Sequence, residues 1–169
     1  IIKKNSGKII KHIGDSIFAE FDDILNCTTS AIKMQSELKK RNSISRDNQK
    51  LTIRIGIHTG TVYEKENDLF GNDVNMCSRI ENIAPHGGIA TSYNLFDNLK
   101  NTPGIFGRKI GYVKLKNIKD PKQLYKIYLD KDDYTAETEN DLRKKQIENG
   151  TNIVDIDNFH IEELFSIGI

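Results

Sequence analysis

The chain has 169 residues, with 25 basic and 24 acidic side chains and a formal charge of +1. That length is about one domain's worth, large enough to bury a core without disulfide or metal staples, and the balanced charge, with no basic block, argues against nucleic acid as the main partner. Cys27 and Cys77 are the two cysteines and give neither a disulfide framework nor metal-type spacing. The two thiols suit small core positions in a reducing, cytoplasmic setting. No apolar run is long enough to span a bilayer and there is no signal peptide, so no membrane contact is expected from this segment, with anchoring of a longer parent left open. The chain opens on Ile1-Ile2 rather than Met and reads as part of something longer.

In chain order, two β-rich runs between Lys8 and Phe21 flank Gly14-Asp15, which predicts a hairpin with a tight two-residue turn. Asp22 is the expected cap of a helix whose apolar positions are Ile24, Cys27, Ala31, Met34 and Leu38. After a polar loop, Leu51, Ile53, Ile55 and Ile57 alternate as one face of a strand, and Thr61 to Tyr63 begins a return strand. Asn72 is the expected cap of a second helix reaching about Ala84. It would place Asn75 and Arg79 on one face and turn Val74, Cys77, Ile80 and Ala84 toward a core. Pro85 to Gly88 break the chain, Ile89 to Thr91 is a short strand, and Ser92 caps a small helix ending near Leu99. Ile110 to Leu115 and Gln123 to Leu129 read as two further strands. Residues 131–169 read as a linker or the start of a further region. The sum is an α+β domain with a mostly antiparallel sheet and helices packed on one side.

Each polar candidate has a plain reading beside a functional one. Gly14-Asp15 suits a hairpin turn, and Asp15 at its tip also suits Mg²⁺, which takes one or two carboxylates plus substrate phosphates. Lys11 either snorkels between apolar neighbours or reaches into a cleft. His58 has no acid or nucleophile beside it in sequence and reads as a structural strand-end residue. Asp22-Asp23 suits a helix N-terminus. Lys114, Lys116, Lys119 and Lys122 suit a solvated strand edge.

The order of these segments is more specific than any one of them. Lys11-His-Ile-Gly-Asp15, then Arg54-Ile-Gly-Ile-His-Thr-Gly60, then Asp68-Leu-Phe-Gly-Asn-Asp-Val-Asn-Met-Cys-Ser-Arg79, then Leu115-Lys-Asn-Ile118 resembles the catalytic domain of class III adenylate and guanylate cyclases, as does Pro85 to Ser92. The resemblance covers about Lys8 to Tyr128, and a domain spanning 1–130 follows from it. It implies a ferredoxin-like, palm-type fold and attack of the ribose 3′-hydroxyl of a nucleoside triphosphate on its own α-phosphate, with pyrophosphate leaving and two Mg²⁺ or Mn²⁺ ions assisting.

By the same resemblance, Asp15 is the second of the family's two metal aspartates. Asn75 orients the ribose, Arg79 stabilises charge on the α-phosphate, and Lys116 steadies the terminal phosphates, with Asn117 where the family usually has glycine. Lys11 and Asp68 match the base-selecting pair. A lysine donating to a ring nitrogen and an aspartate accepting from the exocyclic amine fit adenine, so ATP is expected over GTP. The family builds its sites between two domains arranged head to tail, so a homodimer or pseudo-homodimer is expected and an isolated monomer is expected to be inactive. The family carries its first metal aspartate on an earlier strand. By the resemblance this chain is expected to lack that strand and the helices after it, an incomplete N-terminal part of the domain that either a longer parent protein supplies or that marks the piece as degenerate. Two alternatives stand beside the adenylate cyclase: a non-catalytic cyclase-like module that binds nucleotide or a regulatory partner, and a guanylate cyclase.

Overall fold

The computed structural model describes residues 1–65 and 68–155, the side chains of residues 64–69 excepted. Strands β1 (Gly7–Ile13) and β2 (Ser16–Phe21) form the expected antiparallel hairpin. Ile13 pairs with Ser16 across the Gly14-Asp15 turn, and Gly14 takes φ +61°, which glycine reaches without a Cβ penalty. A bulge between Ile9 and Lys11 interrupts the alternation of β1. Helix α1 (Ile24–Ser43) is capped by Asp23, not by Asp22: Asp23 has extended backbone and its carboxylate accepts the Asn26 N–H at 2.7 Å.

The alternation from Leu51 gives a strand only at β3 (Ile55–Ile57). The Ile53 carbonyl is taken instead by the Gln35 side chain, at 3.0 Å, and by the Gly87 N–H, at 3.1 Å, so it does not enter a ladder. The return strand after Thr61 is half of a small hairpin, β4 (Tyr63–Lys65) and β5 (Asp68–Phe70). Gly71, with φ +142°, is the N-cap of helix α2 (Asn72–Ile83), so Asn72 is the first helical residue and not the cap. Strand β6 (Ile89–Ser92) leads into helix α3 (Tyr93–Leu99). Ser92 holds the N-cap position but gives α3 no side-chain cap, because its hydroxyl bonds His58. Strands β7 (Phe106–Val113) and β8 (Lys122–Tyr128) complete the part of the fold that the sequence outlined.

The expected α+β class is observed. Four of these strands and a fifth, β9 (Ile153–Val154), form one sheet in the order β3-β6-β8-β7-β9, in which only the β3–β6 pair is parallel. Two apolar clusters hold it. Ile80 of α2 and Ala84 at its C-cap join Ala90, Ile110, Val113 and Leu124 in one; Ala31 of α1 and Leu95 and Leu99 of α3 join Ile57, Ile89 and Ile127 in the other. The neighbours Ile89 and Ala90 go to different clusters, as strand alternation requires.

Beyond β8, helix α4 (Lys131–Thr135), helix α5 (Glu139–Glu148) and β9 pack onto the sheet, where a linker or a further region was expected. Leu142 is 1% exposed in the first cluster, and Glu137 accepts hydrogen bonds from Lys126 and Tyr128, each at 2.7 Å, and from Lys145 at 2.8 Å. In α5 only Leu142 and Gln146 are buried, one helical turn apart, which is too short a pattern to stand out in a polar stretch. Residues 156–169 lie outside the described residues.

Candidate functional site

The β1 bulge leaves Lys11 half-buried opposite Phe18, and β1 packs against β5. The Lys11 ammonium lies 5.8 Å from the centre of the Phe70 ring, close enough for a cation–π attraction. Phe70 ends the strand that Asp68 begins. The two halves of the expected base-selecting pair therefore sit on touching strands, although they are 57 residues apart in sequence, the difference of 68 and 11. The Asp68 side chain itself lies outside the described residues.

Asn75 and Arg79 share α2, one turn apart, as expected; Asn75 is exposed and Arg79 half-buried. Among the described residues, neither side chain makes a hydrogen bond or ion pair, which leaves a carboxamide and a guanidinium available to a ligand. The buried side of α2 differs in part from expectation. Ile80 and Ala84 enter the core with Met76 and Ile83, while Val74 and Cys77 turn toward β3 and the cleft described below.

The segment Arg54 to Gly60 works as a rail for α2. Arg54 pairs with Glu81 at 3.3 Å. Gly56 lets the α2 backbone approach so closely that a Cβ there would collide with the Glu81 backbone nitrogen, and the Gly56 carbonyl accepts the Cys77 S–H at 3.4 Å. His58 Nε2 lies 3.1 Å from Asp73, and a Cβ on Gly60 would overlap the Asp73 carboxylate. Every second residue thus touches α2, while Ile55 and Ile57 between them enter the other core cluster. Sequence reading missed Asp73 because His58 was judged by its neighbours in sequence, and its acid comes 15 residues later on another element.

Asp15 and Lys116 are exposed, each in a turn, and among the described residues neither forms a hydrogen bond or ion pair with Lys11, Asn75 or Arg79. Lys116 precedes Asn117, whose φ is +61°. Among the described residues no group of three or more His, Cys, Asp or Glu side chains could hold a metal ion. Asp15 alone therefore does not make a two-metal site.

A cleft separates the two sheets that meet here. Its walls are Phe18 to Phe21 of β2, and Gly56 and Ile57 of β3 with His58 just after it, with Cys27 and Cys77 below. Among the described residues β2 pairs only with β1, and β3 only with β6, so both strands turn an unpaired edge to this cleft. Burial, reinforced by the neighbouring Cys77 and Asp23, pushes the Cys27 thiol up to about 12; burial raises the Cys77 thiol to about 11. Both stay protonated near neutral pH, and the thiol form is the poorer nucleophile.

Comparison with known proteins agrees with this architecture. The sequence model of the family described as adenylate and guanylate cyclase catalytic domain matches residues 1–129. A Rhizobium meliloti protein carrying an adenylate cyclase name is 28% identical over 121 residues; the match covers 72% of this chain and 21% of that protein, so the chain spans about a fifth of that relative. The crystal structure of an adenylate/guanylate cyclase/hydrolase from Silicibacter pomeroyi superposes with a TM-score of 0.70 at 27% identity, covering 75% of each chain. The guanylate cyclase domain of a Catenaria anguillulae protein, solved with GTP, shares the fold at 20% identity, with a TM-score of 0.59 and 76% of each chain covered. Among the described residues, no helix is long and apolar enough to cross a membrane. With a family match over most of its length and the fold of solved cyclase domains, the chain belongs to the adenylate and guanylate cyclase catalytic domain family.

Proposed function

We infer that this chain belongs to an adenylate cyclase catalytic domain, which converts ATP to cyclic AMP and pyrophosphate in cyclic-nucleotide signalling. The observation that carries this reading is the packing of Lys11 against the strand that begins at Asp68, next to the helix bearing Asn75 and Arg79. In this reading Lys11 donates to an adenine ring nitrogen and Asp68 accepts from the exocyclic amine. Guanine presents a carbonyl and a protonated ring nitrogen there and leaves both groups mismatched. Asn75 holds the ribose so that its 3′-oxygen faces the α-phosphorus, Arg79 donates to the phosphate oxygens as charge builds on them, and Lys116 holds the departing phosphates.

Two Mg²⁺ or Mn²⁺ ions are part of this proposal, with Asp15 as one ligand. Mg²⁺ characteristically combines one or two carboxylates with substrate phosphates and water. The described residues do not fit a two-metal site by themselves, so in this reading a further aspartate, the family's first, and the triphosphate would complete it. The facing edges of β2 and β3 are where a further strand carrying that aspartate would pair. A second cyclase domain, placed head to tail, would complete each nucleotide site.

The test is turnover by the full-length protein containing this chain, with ATP and with GTP in the presence of Mn²⁺, beside an Asp15→Ala control. Cyclic AMP formation that the control loses is the expected result. A clear preference for GTP would make the protein a guanylate cyclase, and no product from either nucleotide would leave a non-catalytic module.

A further inference from the structure

Three side chains from three elements meet behind α2. His58 follows β3, Asp73 is in the first turn of α2, and Ser92 ends β6. His58 is a tenth exposed, with Nδ1 2.8 Å from the Ser92 hydroxyl and Nε2 3.1 Å from one Asp73 oxygen. The other Asp73 oxygen accepts the Thr61 N–H at 2.8 Å. Of the two neutral tautomers, the one with its proton on Nε2 satisfies every partner: Nε2–H donates to Asp73, and Nδ1 accepts from the Ser92 O–H. The residue types match those of a hydrolytic triad, but Ser92 is only 8% exposed, which denies an acyl group access to its hydroxyl.

We propose that the Ser92–His58–Asp73–Thr61 chain is a positioning brace that fixes the first turns of α2, and with them Asn75 and Arg79. This rests on the roles proposed above for those two residues. A helix moves nearly as a rod, so its placement is set by where its ends are held. The far end of α2 is held by Arg54 on Glu81 and by Cys77 on Gly56. The near end has no side-chain cap, since Gly71 is the N-cap, and Asp73 ties it to His58 and Thr61 in the segment that follows β3. Asn75 comes two residues after Asp73, and Arg79 six. Losing the tie lets the near end of α2 shift, and a displacement of about 1 Å at a reacting centre costs on the order of 10²-fold in rate.

Variants of the full-length protein separate this from general stability. Asp73→Ala removes the carboxylate; Gly60→Ala displaces it, because the new methyl occupies its place. Each is expected to lower kcat for ATP roughly 10- to 100-fold, with KM changed less than about threefold. Asp73→Asn should stay within about threefold of the parent. Its carboxamide oxygen accepts from Thr61, and its amino group donates to Nε2 once the imidazole proton moves to Nδ1 and is shared with Ser92. Hydrogen exchange followed by mass spectrometry should show residues 72–79 exchanging about tenfold faster in Asp73→Ala and Gly60→Ala, with 139–148 unchanged. Parent-like exchange across 72–79 in Asp73→Ala overturns the proposal, as does a kcat loss in Asp73→Asn equal to that in Asp73→Ala. Should the parent protein make no cyclic nucleotide, the proposed activity falls, and the exchange rates alone decide for or against the brace.

Discussion

Asn117 occupies the left-handed region, with φ +61°, in the turn closed by the Ile118 N–H on the Leu115 carbonyl. Glycine enters that region freely, and asparagine is among the few other residues that do so routinely. The residue that departs from the family's usual Lys-Gly therefore keeps the backbone shape that glycine provides. Asn117→Gly is expected to leave the unfolding free energy from urea titration within about 0.5 kcal/mol of the parent, and Asn117→Val to cost about 1–2 kcal/mol, since a β-branched side chain clashes in this conformation. At Lys11 and Asp68 the expected change is in specificity rather than stability. Lys11→Glu combined with Asp68→Cys, the residue types typical of guanylate cyclases at these positions, should move the ratio of kcat/KM for ATP over GTP roughly 100-fold toward GTP. An unchanged ratio would detach this pair from base selection.

At the scale of elements, one buried carboxylate, Glu137, helps to tie down the segment after β8. Burial raises the Glu137 carboxyl, but hydrogen bonds from Lys126, Lys145 and Tyr128 outweigh it and hold the group down at about 2. A carboxyl depressed by folding stabilises the fold above its ordinary value of 4.5, and that stabilisation is lost as pH falls from about 4.5 toward 2. Glu137→Gln should cost on the order of 2–3 kcal/mol at pH 7 and progressively less as the pH drops through that window. Urea unfolding at pH 7, 4 and 2.5 checks this; an equal cost at all three would remove Glu137 ionisation from the account. The same carboxylate helps to explain why α5 docks although the stretch reads as polar: a charge network stands beside buried Leu142. Helix α4 docks through Tyr134, whose ring packs on Phe106 and Tyr128 beneath the Arg108 guanidinium.

For the whole molecule, the proposed head-to-tail pairing predicts complementation. An Asp15→Ala protein and an Arg79→Ala protein should each be inactive alone, and their mixture should regain up to about a quarter of parental activity if the domains pair at random and each site draws on both chains. A mixture as inactive as its components would refute shared sites. The hairpin at Gly14-Asp15, the α2 face with Asn75 and Arg79, and the strand character of Ile55 and Ile57 were legible in the sequence, because each depends on local conformation and short-range periodicity. The cap at Asp23, the β4–β5 hairpin and the truncation of β3 were not, because one-residue boundaries and competing hydrogen bonds settle them. Sequence order alone determined the family resemblance and nominated Lys11, Asp15, Asp68, Asn75, Arg79 and Lys116. Only the tertiary structure decided that Lys11 packs against the strand of Asp68, that Asp73 is the acid of His58, and that alternate residues of Arg54 to Gly60 carry α2, since each of these contacts joins residues that chain folding alone makes neighbours.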